Sequence, residues 1–260
     1  MESAYLAQAS DLIAVADAIR EKGETSDQLV FPDGFVTAIQ EIEIRKPAAA
    51  MPAFTYSVSD GYETEMNEEN GEWKIRFLTS GTLIFISEPP LVDVWMCGGG
   101  GGSCGSTAGG GSGYVSGRMK YQPVMGEEYT ITIGAGGKAG TSTGNGGTGG
   151  KTSAFGLHAN GGGGSSYTSG KGGSGGTGGN GEGASGAGAT DGADGVSSSG
   201  YAGGTGYGMT TREFWEPDGT LYCSGGAANA GSAGGDNTGD GGSRKNAGGS
   251  GIVVIRGSAL

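Results

Sequence analysis

One histidine, three cysteines and a few clustered aspartates are the residues of this 260-residue chain that could do chemistry beyond packing. A Ser/His/Asp triad would have to use His158, but that residue lies beside Leu157 in an apolar stretch, and no serine sits in a nucleophile-positioning motif. His158 reads as structural. Zinc needs paired ligand spacing, which a single histidine and the scattered Cys97, Cys104 and Cys223 do not offer. An odd set of cysteines in a long chain argues against a disulfide framework. They read as three small buried thiols, with a Cys97–Cys104 bridge or a metal site short of a fourth ligand as alternatives. Asp191-Gly192-Ala193-Asp194-Gly195 and the stretch from Asp236 to Asp240 are similar to the turns of calcium-binding repeats, but the nonapeptide order is missing, so solvated turn carboxylates are the plainer reading. Gly134-x-Gly136 matches a dinucleotide pattern only because glycine is so frequent, and no βαβ unit accompanies it. The sequence therefore predicts no enzyme, no catalytic residue, no metal and no cofactor.

The residues best suited to recognition form one island in a stretch that otherwise avoids bulk. Tyr201, Tyr207, Arg212, Phe214, Trp215, Glu216 and Tyr222 are the candidate receptor-binding residues, with Glu213 among them and Pro217-Asp218-Gly219 as a turn. Side chains too large to fit between closely packed glycine segments are expected at their edges or tips. There they serve either as a plug over one end of the packing or as a binding platform. In a platform, Trp and Tyr stack on sugar faces or fill pockets while Arg and Glu orient polar groups. A second cluster, Glu63, Glu65, Glu68, Glu69 and Glu72, surrounds a predicted Asn70-Gly71 turn and reads as a soluble loop, or as a contact for a basic partner.

Composition says what must hold these residues. All but six of the 62 glycines lie between 98 and 251, and only 34% of the chain is hydrophobic, so one conventional core cannot run through all of it. Charge divides near the same point: residues 1–96 carry 17 Asp/Glu against six Lys/Arg, which is −11 of the total −12. No basic run exists to meet a phosphate backbone or an anionic membrane, so neither nucleic acid nor membrane insertion is expected. The N-terminus lacks a signal-peptide pattern and no stretch is apolar enough to span a bilayer.

Residues 1–46 predict a helical hairpin. Ser10 caps a stripe of Leu12, Ile13, Val15, Ala16 and Ile19 that ends at Gly23, and Phe31-Pro32-Asp33-Gly34 opens a second stripe of Phe35, Val36, Ile39 and Ile42. Two short stripes cannot stand alone, so this is read as an attachment or oligomerisation module, followed by a linker at 47–53. Alternating, β-branched segments predict antiparallel strands within 54–97, 128–134, 152–160 and 251–257, with Asn70-Gly71 and Ser80-Gly81 as turns. Because the last strand returns at Ile252, the glycine-rich part at 98–250 is inserted through a β-sandwich.

Glycines at 172–173, 175–176 and 178–179 recur every three residues, the period of a polyproline II-like helix. Such helices leave their amides and carbonyls pointing outward, and without side chains neighbouring helices come close enough to bond through them. The expected fold is mainly β and glycine-rich, with few α-helices and an inserted polyglycine II-type lattice. Disorder over residues 160–250 is the alternative.

Four segments then occur in a telling order: Val92-Asp93-Val94-Trp95-Met96-Cys97 with its glycine run, Tyr129-Thr130-Ile131-Thr132-Ile133-Gly134-Ala135-Gly136-Gly137, Thr152-Ser153-Ala154-Phe155-Gly156, and Gly248 through Arg256. This order resembles the glycine-rich domain of bacteriophage tail fibre and receptor-binding proteins. Asp11 through Arg20 and Phe31 through Phe35 resemble a short module of tail proteins in phages of Gram-positive hosts. The resemblance implies a virion adhesin at the tail tip, commonly a homotrimer, attached to other tail or baseplate proteins through residues 1–46 and binding a bacterial surface glycan or protein. A purely structural tail-tip or baseplate protein is the alternative it leaves open.

Overall fold

The computed structural model describes Asp17 and residues 50–67, 71–105, 108–181, 211–228 and 231–257. The chain divides into two compact units, Met1–Lys46 and Pro47–Leu260. In the first, Asp17 is helical and exposed; the rest of the predicted hairpin lies outside the described residues.

The second unit is mainly β. Its strands are β1 (Phe54–Tyr56), β2 (Tyr62–Met66), β3 (Trp73–Phe77), β4 (Gly81–Phe85), β5 (Val92–Cys97), β6 (Val115–Tyr121), β7 (Glu128–Ile131), β8 (Thr152–Ala154), β9 (Leu157–Ala159), β10 (Gly179–Asn180) and β11 (Ile252–Gly257). Every pairing is antiparallel. One layer is a five-stranded sheet in the order β2-β3-β11-β5-β6. The other is made of β1-β4-β7 and β10-β9-β8, joined by a Thr132–Ser153 bridge. The last strand thus fills the centre of the first sheet, between β3 and β5.

Period-two alternation decides what lies between the layers. Trp73, Ile75 and Phe77 of β3, Val92, Val94 and Met96 of β5, and Val253 and Ile255 of β11 point inward, where they meet Leu83, Phe85, Tyr129, Ile131 and Leu157 of the other layer. One connection and one strand differ from expectation. The Asn67–Gly71 turn does join a β2–β3 hairpin, but Ser80-Gly81 carries the chain from one layer to the other, so β4 pairs with β1 and β7. Strand β6 is not foreshadowed, because Val-Ser-Gly-Arg-Met-Lys-Tyr shows no clean alternation.

Beyond the strands the same two layers continue as glycine segments. β5 runs into 98–105, β6 is entered from 109–114 and β11 from 246–251; β7 runs into 134–140, β8 is entered from 144–150 and β9 runs into 160–165. Segment 98–105 is fully buried although it carries almost no side chains. Its N–H groups donate in rotation: Gly98 and Gly101 to Tyr114 and Gly111, Gly99 and Gly102 to Gly150 and Gly147, Gly100 and Ser103 to Gly249 and Asn246. Its carbonyls accept in the same three-residue rotation, from Gly162 and Ser165, from Gly137 and Gly140, and from Gly242 and Lys245. Nearly every buried backbone group of the segment thus finds a partner, as burial demands. Glycine is needed here for close approach: a β-carbon on Gly101 would fall on the carbonyl oxygen of Gly163.

Candidate functional site

In the five-stranded sheet strand β5 is buried on both faces, and β11 is buried from Ile252 to Ile255. The sheet's outward residues lie in register as three rows: Lys74, Arg256 and Asp93; Arg76, Val254, Trp95 and Gly117; then Ile252, Cys97 and Val115. Over them lies the segment Thr211–Cys223, which carries five of the candidate receptor-binding residues. It is a small hairpin of its own. Arg212 bridges Leu221, Glu213 N–H donates to Thr220, Tyr222 N–H donates to Thr211, and Gly219 N–H closes the Pro217-Asp218 tip on the Glu216 carbonyl. Phe214, Tyr222 and Cys223 pack onto Trp95, Cys97, Val115, Ile252 and Val254, with the Trp95 and Tyr222 rings 4.8 Å apart.

Charge fixes the hairpin in register. The buried Glu213 carboxylate accepts from Lys74 Nζ at 2.9 Å and from Arg76 Nε at 3.2 Å. Arg76 also donates to Glu65 at 2.6 Å, and that bond holds the Glu65 carboxyl below its ordinary value. Arg256 reaches three ways. Its Nε donates to Asp93 at 3.2 Å, its Nη1 donates to Glu216 at 2.5 Å, and its guanidinium lies 4.1 Å from the centre of the Phe214 ring, a cation–π contact. Asp93 in turn accepts the backbone N–H of Lys120 at 3.0 Å. Burial, with the charge of Glu213 behind it, pushes the Tyr222 hydroxyl up to about 12.

The island is therefore divided by the sheet it rests on. Phe214 and Tyr222, of the island expected as either plug or platform, face inward onto the sheet, because there they bury the apolar outer face of β11, β5 and β6. Arg212 is half-buried and donates to the Gly219 carbonyl at 2.7 Å, bracing the tip. Trp215 and Glu216 are half-exposed. Tyr201 and Tyr207 lie outside the described residues. Phe214 and Trp215 both take the left-handed backbone region, at φ 51° and 60°, which non-glycine residues seldom occupy. That conformation aims one ring into the sheet and the other across edge strand β6, where the indole edge lies over Gly117. Trp95 Nε1, deep under the hairpin, finds no hydrogen-bond partner among the described residues.

Lys74, Arg76, Asp93 and Arg256 went unremarked as site residues. A signal existed: each is a charge inside an otherwise apolar strand, and alternation places all four on one face. Among the groups with possible chemistry, Cys97 and Cys223 lie together beside Gly239. His158 stands in β9, its backbone N–H bonded to Asn180. Asp240, raised by burial above the ordinary carboxylate value, accepts from Ser224 N–H. Cys104 donates toward the Ala108 carbonyl at 3.8 Å, and none of the three cysteines is in a disulfide. Among the described residues no three His, Cys, Asp or Glu side chains gather as a metal site would require.

Antiparallel layers that continue into side-chain-free segments bonded through the backbone define a β protein of the glycine-rich class. Residues 79–258, from β4 to the end of β11, match the family model of the glycine-rich domain, and the chain belongs to that family. No curated protein matches it.

Proposed function

We propose that this chain is a non-enzymatic virion tail-tip adhesin that binds a bacterial surface receptor, a glycan or a protein, through exposed loops on a polyglycine II-type scaffold. The observation that carries the reading is Trp215, a half-exposed indole on a hairpin whose neighbours are locked by ion pairs and apolar burial. Arg212 and Glu216 flank it with polar atoms at the surface. A large ring that need not be ordered on binding is what a hot spot requires. The three-residue rotation of hydrogen bonds around segment 98–105 supports the polyglycine II-type lattice, and a lattice of that kind supplies rigidity without a large apolar core. The order of strand and glycine segments, similar to that of tail fibre proteins, supports the virion setting. In this reading the assembled adhesin is a homotrimer and residues 1–46 attach it to other tail or baseplate proteins.

Replacing Trp215 by Ala is the test. It removes the exposed ring and leaves Phe214, Tyr222 and the ion pairs in place, so the folded variant should lose host-cell adsorption roughly tenfold or more. Unchanged adsorption by a folded W215A protein would exclude this hairpin as the platform. A second reading, a purely structural tail-tip or baseplate protein, is favoured by the burial of Phe214 and Tyr222, which makes much of the island a cover for the sheet. Folded wild-type chain that fails to bind any fraction of host envelope would decide for it.

A further inference from the structure

We propose that Cys97 and Cys223 are a latent disulfide, a covalent modification site that locks the hairpin Thr211–Cys223 onto the five-stranded sheet. Cys97 ends β5, held on one side by Ile252 of β11 and on the other by Val115 of β6. Cys223 ends the hairpin, its N–H bonded to the Thr238 carbonyl at 3.0 Å. Both thiols are fully buried and belong to the same apolar cluster beneath the hairpin. They meet over Gly239, at φ 68°: the position a β-carbon there would occupy lies 2.8 Å from Cys97 Sγ and 3.0 Å from Cys223 Sγ. Glycine at that point gives the sulfurs the space they share. A disulfide needs the two sulfurs about 2.05 Å apart, and both already crowd the same point beside Gly239. Cys104 donates instead toward the Ala108 carbonyl.

The oxidant is a small-molecule disulfide. One cysteine thiolate attacks it, forming a mixed disulfide and releasing one small thiol; the second cysteine then attacks the mixed disulfide and releases the other. Two cysteine protons are lost, and the two electrons end on the two released thiols. The hydrogen bond to Cys97 and then burial hold the Cys223 thiol well above its ordinary range, with Cys97 and Asp240 the titratable groups acting on it. Exchange therefore proceeds when the hairpin lifts, and it quickens as pH rises. The bridge would close a loop of more than 100 residues around the central glycine segments. The site is independent of whether Trp215 meets a receptor.

The experiment uses reduced full-length protein, so no variant need fold. It is incubated with oxidised glutathione in sub-denaturing urea, acid-quenched, unfolded, alkylated and weighed. The expected result is a fall from three alkylatable thiols to one, with the Cys97 and Cys223 peptides joined and Cys104 modified. The bridged form should melt roughly 5–10 °C above the reduced form. The C104S variant should give the same bridge and no remaining thiol. Three thiols persisting after prolonged incubation, a bridge that includes Cys104, or a Cys97–Cys223 bridge without a rise in melting temperature would each overturn the proposal.

Discussion

Replacing Gly101 by Ala tests whether backbone contact is what demands glycine in the buried segments. Gly101 lies outside the left-handed region, so its backbone would accept alanine. Its surroundings would not. The new methyl would fall on the carbonyl oxygen of Gly163, which itself accepts the N–H of Gly111 at 2.9 Å, while Gly101 bonds to Gly111 and Gly242 at 2.8 Å. Moving that carbonyl leaves a buried donor without a partner, at about 1–3 kcal/mol, and forcing the segments apart adds about 1–3 kcal/mol of overpacking. The expected loss is about 2–6 kcal/mol, or roughly 5–20 °C in melting temperature for a unit of this size. Gly126→Ala is the control. Its φ of 79° resists a side chain, but no atom lies within 4 Å of the new methyl, so only conformational strain of about 1 kcal/mol is expected. Differential scanning calorimetry of the two variants separates the causes. A G101A protein that melts no lower than G126A would refute the claim that close packing, rather than backbone freedom, fixes glycine there.

Three further outcomes follow from the hairpin and the buried rings. Glu213→Ala leaves Lys74 and Arg76 without their buried counter-charge and should cost about 2–4 kcal/mol in urea unfolding, with Glu213→Gln costing less because its carbonyl still accepts. Gly117→Ala sets a methyl 2.6 Å from both the Trp215 ring edge and the Val94 carbonyl, so Trp215 should swing outward; tryptophan emission should shift to the red, and the added W215A change should abolish the shift. Burial holds the hydroxyls of Tyr56, Tyr129 and Tyr222 at about 12 against an ordinary 10.0, so the unfolded chain ionises first. The tyrosine contribution to stability should be constant below pH 10 and fall as pH rises from 10 toward 12, and absorbance titration should show a late tyrosinate population that moves to about 10 in urea.

Strands with clean alternation were legible, and so was their antiparallel character. Trp73-Lys74-Ile75-Arg76-Phe77 fixes both its secondary structure and its inward face. Val115 through Tyr121 did not announce itself as a strand, because Gly117 is there to receive an indole from a residue 98 positions later, a need no local pattern records. The same reason hid the site's charges. Lys74, Arg76 and Arg256 look like solvent-facing positions of amphipathic strands until Glu213 and Glu216 arrive from the hairpin. Composition marked the island correctly as the place where bulk returns, but it could not tell which rings face the sheet. That depends on the φ of two adjacent residues, Phe214 and Trp215. Likewise, spacing favours Cys104 as the partner of Cys97, whereas the fold brings Cys223 to it.

The glycine segments explain one another better as a continuation of the sandwich than as a separate body. Order within each layer is kept: β6, β5 and β11 become 109–114, 98–105 and 246–251, still bonded as neighbours, and β7, β8 and β9 become 134–140, 144–150 and 160–165, also still bonded. What changes is the distance between layers. In the strand region Trp73, Phe77, Phe85 and Met96 fill the space between them, as in any sandwich about 10 Å thick. Past Cys97 and Ile133 large apolar side chains give way mostly to glycine, and the layers draw together until Gly99 donates to Gly150, Gly102 to Gly147 and Gly137 to Gly100. A strand bonds only sideways, whereas a three-residue turn aims successive amides in three directions, so losing the side chains lets the backbone bond across layers as well. The switch from apolar core to backbone bonding at Cys97 thus needs no boundary loop. It also places the Cys97–Cys223 pair where the two modes of packing meet, so locking that point should restrain strand and glycine segment together.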